Sequence, residues 1–146
     1  VERSRGLGDV YKRQIVDILY KHIPFSNPNA KRTFDSDLST IGNYIQKNYL
    51  EIKGLDALSE HFGITKSHLC RVFKEHTGIT ITHYINALKI QRACLLLCES
   101  KIPIHDIYKM CGYDNSQYFN RVFKNMKEVT PNQFRQQSRA IKMWKY

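Results

Sequence analysis

The run Arg71-Val72-Phe73-Lys74 returns fifty residues later as Arg121-Val122-Phe123-Lys124. On a helix, Arg and Lys at this spacing share one face and the apolar pair between them turns inward. A guanidinium presented in this way can pair bidentately with O6 and N7 of guanine, and an ammonium can meet a phosphate. Ser67, Cys70, Arg71 and Lys74 lie on that face in the first copy, with Lys66 and His68 beside them, opposite Leu69, Val72 and Phe73. In the second copy Ser116, Gln117, Asn120 and Arg121 face one way, Lys124 continues the row, and Asn115 precedes it. Gln117 or Asn120 could pair bidentately with adenine. Blander readings stand beside these: a phosphate clamp or an intradomain ion pair for Arg71 and Arg121, solvated charge for Lys66, His68 and Lys74, and helix capping for Asn115 and Ser116.

Catalytic chemistry has less to build on. His61, His68, His76, Cys70 and Cys94 could suggest a metal site or a Cys/His pair, but no Cys-x-x-Cys, His-Glu-x-x-His, phosphate loop or nucleophile elbow is present. Cys94 and Cys98 stand four apart as two metal ligands might, yet Leu95 to Leu97 surround them and no second ligand pair follows. Core packing is the expectation for these thiols, reduced and without framework spacing. No enzyme, cofactor or metal is expected.

The charge of the chain favours a polyanionic partner. Its 146 residues carry 23 Lys and Arg against 13 Asp and Glu, a net +10. The basic excess is local: Glu75 is the sole acid between Phe62 and Cys98, and Glu128 the sole acid after Asp114. The longest apolar run, Ala93 to Cys98, is far short of a membrane span, and no charged-then-apolar leader opens the chain. A soluble, cytoplasmic protein without a membrane partner is expected.

The elements that must carry these residues read as helices throughout. Residues 1–14 begin with Val, have no helical period and resemble a leader found on unrelated metagenomic translations, so they are read as foreign to the native protein. Residues 15–35 read as the end of a missing upstream domain and a linker, with a short helix around Ile15 to Leu19 and then Pro24 and Pro28. Asp37 is expected to cap a helix with the stripe Leu38, Ile41, Ile45 and Tyr49. Helices follow at about 55–62 and 66–76. A long helix at about 80–98 is expected to turn Ile81, Tyr84, Ile85, Leu88, Leu95 and Leu96 inward and Lys89 and Arg92 to water. Further helices are expected at 104–111 and 115–127, and a last one from Pro131 to about Gln137, whose N-terminal amides could hold a phosphate. Residues 138–146 read as a basic tail.

Leu55 to Tyr84 and Ile104 to Phe134 follow one plan. Leu58 and Gly63 match Ile107 and Gly112 at an offset of 49, whereas the Arg-Val-Phe-Lys runs match at 50, so the second copy has one extra residue in its turn. A helix-turn-helix needs such a glycine where the chain leaves its first helix left-handed, and apolar residues at fixed places around it. Leu58, Phe62, Ile64, Leu69 and Val72 supply these in the first copy; Ile107, Cys111, Tyr113, Phe119 and Val122 supply them in the second. Small Ser59 eases the helix crossing in the first copy. Bulky Tyr108 stands at the matching place in the second, so that those helices either splay or let the ring pass.

Ser67-His68-Leu69-Cys70-Arg71-Val72-Phe73-Lys74, together with the run from Gly112 to Lys124 and Thr130-Pro131, resembles the AraC/XylS family of bacterial transcription regulators over about residues 36–137. The resemblance implies an all-α fold: two homeodomain-like helix-turn-helix subdomains joined by a long connecting helix, with recognition helices at Lys66–His76 and Asn115–Lys127. Seventeen connecting residues span roughly 26 Å, suited to two major-groove segments about one DNA turn apart. Double-stranded promoter or operator DNA is the implied partner, with RNA polymerase a further one and a small-molecule effector only through a missing upstream domain. Family members often carry a polar residue at the position of Cys70; a thiol leaves apolar contact with a thymine methyl. Two rivals are a DNA-repair protein carrying the same domain beside a reactive-cysteine module, and a helical module whose basic faces meet an acidic protein.

Overall fold

The computed structural model describes residues 34–143, which form seven helices and no strand. They are α1 (Phe34–Asn48), α2 (Leu55–Phe62), α3 (Lys66–Thr77), α4 (Ile81–Glu99), α5 (Ile104–Met110), α6 (Ser116–Lys127) and α7 (Pro131–Met143). The expected leader, the short helix near Ile15 and the linker up to residue 33 lie outside the described residues. Helix α1 starts at Phe34, so Asp37 sits in its first turn and is not its cap. No Gly or Pro separates Phe34 from Asp37, so the sequence there does not prevent a helix from starting at Phe34.

The chain divides into two compact units with the boundary between Leu88 and Lys89, inside α4. In the first unit Leu38, Ile41 and Ile45 of α1 pack with Ile52, Leu58, Leu69 and Phe73 against Ile81, Tyr84, Ile85 and Leu88 of α4. The Tyr84 hydroxyl, buried in this core, accepts a hydrogen bond of 2.9 Å from Gln46 Nε2. The second unit gathers Ile90, Ala93, Cys94 and Leu97 of α4 with Ile107, Cys111, Tyr113, Phe119, Val122, Phe123 and Phe134. Burying a side chain such as Phe123 contributes about 1.5–3 kcal/mol. Tyr108, bulky where Ser59 is small, joins this core half-buried, its ring 6.4 Å from that of Phe119.

Two expectations about α4 fail for one reason. Leu95 is half-buried and joins neither core, whereas Leu96 packs half-buried against the second; Lys89, expected in water, is 6% exposed. Both expectations treat α4 as presenting a single inward stripe, but it serves one core up to Leu88 and another from Ile90, so the buried face shifts at the boundary.

The two helix-turn-helix turns are built alike. Gly63 N–H donates to Glu60 O and Ile64 N–H to Ser59 O; Gly112 N–H donates to Lys109 O and Tyr113 N–H to Tyr108 O. This nested pair closes a helix around a residue of positive φ, here +65° at Gly63 and +81° at Gly112. The extra residue of the second turn is Asp114, placed after the bonded pair and before the Asn115 cap.

Helices α3 and α6 also end left-handed, at Gly78 (φ 77°) and at Glu128 (φ 64°), whose N–H groups donate to Lys74 O and Lys124 O. Helix α7 does not stop near Gln137 but runs to Met143, so residues 138–143 are helix and not a tail. Nothing after Pro131 breaks it, and buried Ser138 bonds both Phe134 O (2.9 Å) and Cys98 Sγ (3.1 Å). Residues 144–146 of the expected tail lie outside the described residues.

Glu128 is the sole non-glycine residue of positive φ among the described residues. The left-handed conformation costs a residue with a Cβ about 1–2 kcal/mol, of which the greater unfolded freedom of glycine returns part. Glu128→Gly should therefore raise unfolding stability by about 0.5–1 kcal/mol in urea titration, and Gly78→Ala should lower it by about the same amount. A stability unchanged by either substitution would show that these helix ends carry no strain.

Candidate nucleic-acid interface

Helix α3 starts at an extended Thr65 whose Oγ1 accepts from His68 N at 3.2 Å, and α6 at an extended Asn115 whose Oδ1 accepts from Tyr118 N at 2.9 Å. Asn115 is thus a cap, the blander of its two readings. Both helices then turn apolar residues inward: Leu69, Val72, Phe73 and Thr77 in α3, and Phe119, Val122 and Phe123 in α6. What remains outside is the predicted row. Lys66, Ser67, Arg71 and Lys74 are exposed on α3, with His68 and Cys70 half-buried at its margin. Ser116, Gln117, Asn120, Arg121 and Lys124 are all exposed on α6. Each unit brings its predicted residues onto one helix.

Their neighbours differ. Lys66 Nζ pairs with Asp56 Oδ1 of α2 at 2.7 Å, and this hydrogen bond, then the carboxylate's charge, raises the pKa of the lysine. An exposed pair of this kind is readily exchanged for a phosphate. Arg71 Nη2 donates to His68 Nδ1 at 3.2 Å. Because a guanidinium can only donate, this bond places the proton of a neutral His68 on Nε2. At the matching place Arg121 lies over the ring of Tyr118, 5.3 Å from its centroid. Tyr118, 38% exposed among these polar side chains, is not one of the residues that the sequence pattern singles out. The offset of 50 that aligns Arg71 with Arg121 also aligns His68 with Tyr118, a signal that could have found it.

Not every basic residue points outward. Lys89 Nζ donates to Gly112 O at 3.0 Å and lies 5.1 Å from the Tyr113 ring centroid, while Arg92 Nε donates to Met110 O at 3.2 Å. These cations complete the carbonyl end of α5, where positive charge is favoured. Arg135, 6% exposed, does the same for α4: its Nε donates to Leu97 O at 3.3 Å and its Nη2 to Ser100 O at 3.5 Å. Burial, then the charge of Arg139, pulls its pKa down. Lys142 Nζ donates to Cys98 O. Thr130 and Gln133 bond reciprocally at the start of α7, N–H to Oε1 at 3.0 Å and N–H to Oγ1 at 3.2 Å, the capping alternative to a phosphate site.

Two of the histidines have partners within the fold and two of the cysteines are buried. The His61 ring stacks on Tyr44 at 4.0 Å, and His76 Nδ1 lies 2.9 Å from Val72 O. Cys94 and Cys111 are buried, and desolvation pushes each thiol up to about 12. Among the described residues no three His, Cys, Asp or Glu side chains are grouped as a metal site, and no helix is long and apolar enough to cross a membrane.

A family model described as a helix-turn-helix domain matches residues 58–137. The solved structure of a transcriptional regulator of the AraC-type DNA-binding-domain proteins from Chromobacterium violaceum superposes with a TM-score of 0.60 at 25% identity, over 70% of this chain and 92% of that one. The chain belongs to the AraC/XylS family. This AraC/XylS chain is also similar to the C-terminal domain of AraT, a response regulator from Geobacillus stearothermophilus, with a TM-score of 0.65 and 29% identity over 72% of this chain and 88% of that one. It is 32% identical over 116 residues to the transcriptional activator RhaR of Cronobacter sakazakii, covering 80% of this chain and 40% of RhaR. The chain spans well under half the length of the curated relatives it matches.

The buried thiols of this AraC/XylS chain set an alkaline limit. Unfolded thiols ionise from around pH 8.5, whereas Cys94 and Cys111 hold their protons to about 12 in the fold. Between those values the unfolded chain binds fewer protons, so stability falls as pH rises; below pH 8 these groups contribute no slope. Urea midpoints should decline above about pH 9, and more shallowly in Cys111→Ala. Equal slopes in variant and parent would remove Cys111 as a source.

Proposed function

We propose that this chain is the DNA-binding part of a bacterial transcription regulator, reading two successive major-groove segments with α3 and α6. The observation that carries the reading is the duplicated helix-turn-helix whose second helix, in each copy, has an exposed Arg and Lys at the same two places. In this reading Arg71 and Arg121 present their guanidinium forks to guanine, and Gln117 or Asn120 pairs with adenine. Ser67 and Ser116 lie at the base edges, and the Cys70 thiol gives apolar contact to a thymine methyl. Lys74 and Lys124 meet phosphates, and Lys66 joins them by leaving Asp56. The role is binding without catalysis, in the cytoplasm, on double-stranded promoter or operator DNA. RNA polymerase is a further partner, and a small effector would act through a domain upstream. The names of the relatives, regulators and an activator, support this reading.

Selection from random duplex DNA at about 150 mM salt tests it. Two enriched motifs one helical turn apart are expected, with Arg71→Ala relaxing one and Arg121→Ala the other, each at a cost of about 1–3 kcal/mol. Absence of enrichment over random sequence would overturn the reading in favour of a basic face for an acidic protein. A second measurement separates phosphate contacts from structural cations. Lys124→Ala should lower the slope of log affinity against log salt by about 1. Lys89→Met, which strands the Gly112 carbonyl, should leave that slope intact and cost about 1–3 kcal/mol of folding stability. The opposite assignment of the two effects would place Lys89 at the DNA.

A further inference from the structure

Tyr118 is the link before last in a continuous series of contacts within the second unit. Lys89 of α4, buried and bonded to Gly112 O, lies 5.1 Å from the Tyr113 ring centroid. The Tyr113 ring, itself buried, is 5.9 Å from that of Tyr118, and Tyr118 is 5.3 Å from the Arg121 guanidinium carbon. The series begins on a cation fixed in the core and ends on the exposed cation of α6. An arginine on a helix surface has many rotamers to lose when it binds, and a ring held from behind restricts them in advance. The planar guanidinium on an aromatic face also keeps its N–H groups directed outward along its edge, where a base or phosphate can accept them.

We propose that Tyr118 is a positioning residue: seated on Tyr113, it holds Arg121 ready for its contact and so sets how sharply the second unit discriminates at one base pair. This rests on the reading of Arg121 as a base-contacting residue. The first unit uses a different brace at the same place, the imidazole of His68 accepting from Arg71 through a single bond of 3.2 Å. The two recognition helices therefore orient equivalent arginines by different chemistry, a ring face in one and a nitrogen lone pair in the other.

The test uses the full chain and the duplex enriched by selection, with each base pair of the second motif substituted in turn and affinity read by fluorescence anisotropy. Tyr118→Phe retains the ring face and should keep the parent discrimination. Tyr118→Leu and Tyr118→Gln, checked for native folding by their amide NMR spectra, should each lose about two- to fivefold at the base pair that Arg121→Ala relaxes, the range of an exposed cation–π contact. In the Arg121→Ala background neither should have a further effect. Loss of the same size in that background would mean that Tyr118 touches DNA on its own account and would overturn the proposal. So would unchanged discrimination in Tyr118→Leu and Tyr118→Gln where Arg121→Ala lowers it, or a loss in Tyr118→Phe equal to that in Tyr118→Leu. If Arg121→Ala itself relaxes no base pair, the underlying reading of Arg121 fails, and the positioning role fails with it.

Discussion

Each unit depends on a helix being closed by two nested backbone hydrogen bonds across a left-handed glycine. Without that closure the last carbonyls of α2 and α5 would lack partners, and the chain would leave the helix in a direction that takes α3 or α6 off its core. The side chains then follow from the backbone. The residue after the glycine, Ile64 or Tyr113, donates the outer of the two nested bonds, to the residue five before it, and packs against the core of its unit. A cap of the Thr65 or Asn115 kind starts the next helix with its apolar stripe already facing inward.

The second unit adds cations to this closure. Lys89, Arg92, Arg135 and Lys142 all end on main-chain carbonyls near the ends of α4 and α5, so a sizeable part of the basic charge completes helix ends. Net charge alone therefore overstates what a polyanion would meet. The exposed cations of α3 and α6 are a smaller set, made distinct by their common face and by bonding to no main-chain carbonyl among the described residues.

What the sequence made legible was whatever repeats with a period. The 3.6-residue apolar rhythm, with the breaks at Gly63, Pro103, Gly112 and Pro131, located the seven helices of the described residues, and the fifty-residue echo found both turns, the extra residue in the second, and the exposed rows on α3 and α6. It failed where one element answers to two masters. Lys89 looked solvated because a charged residue beside an apolar stripe usually is, and only the change of core at Leu88 turns it inward. The extent of α7 was missed because the serine at 138 reads as a surface residue until its two bonding partners are known. Tyr118 is not legible as part of the polar row, since aromatic side chains in a helix ordinarily belong to the core.

Asp114 has a meaning beyond the count of residues. It enters after the nested bonds are complete and before the next helix is capped. That short interval lies between two separately closed hydrogen-bonded arrangements. A gene that duplicates such a unit can gain or lose a codon there while both flanking helices keep their faces, whereas one added inside a helix would rotate every later side chain by about 100°. Sequence drift between the two copies can thus change length at this joint while the rest of each unit stays in phase.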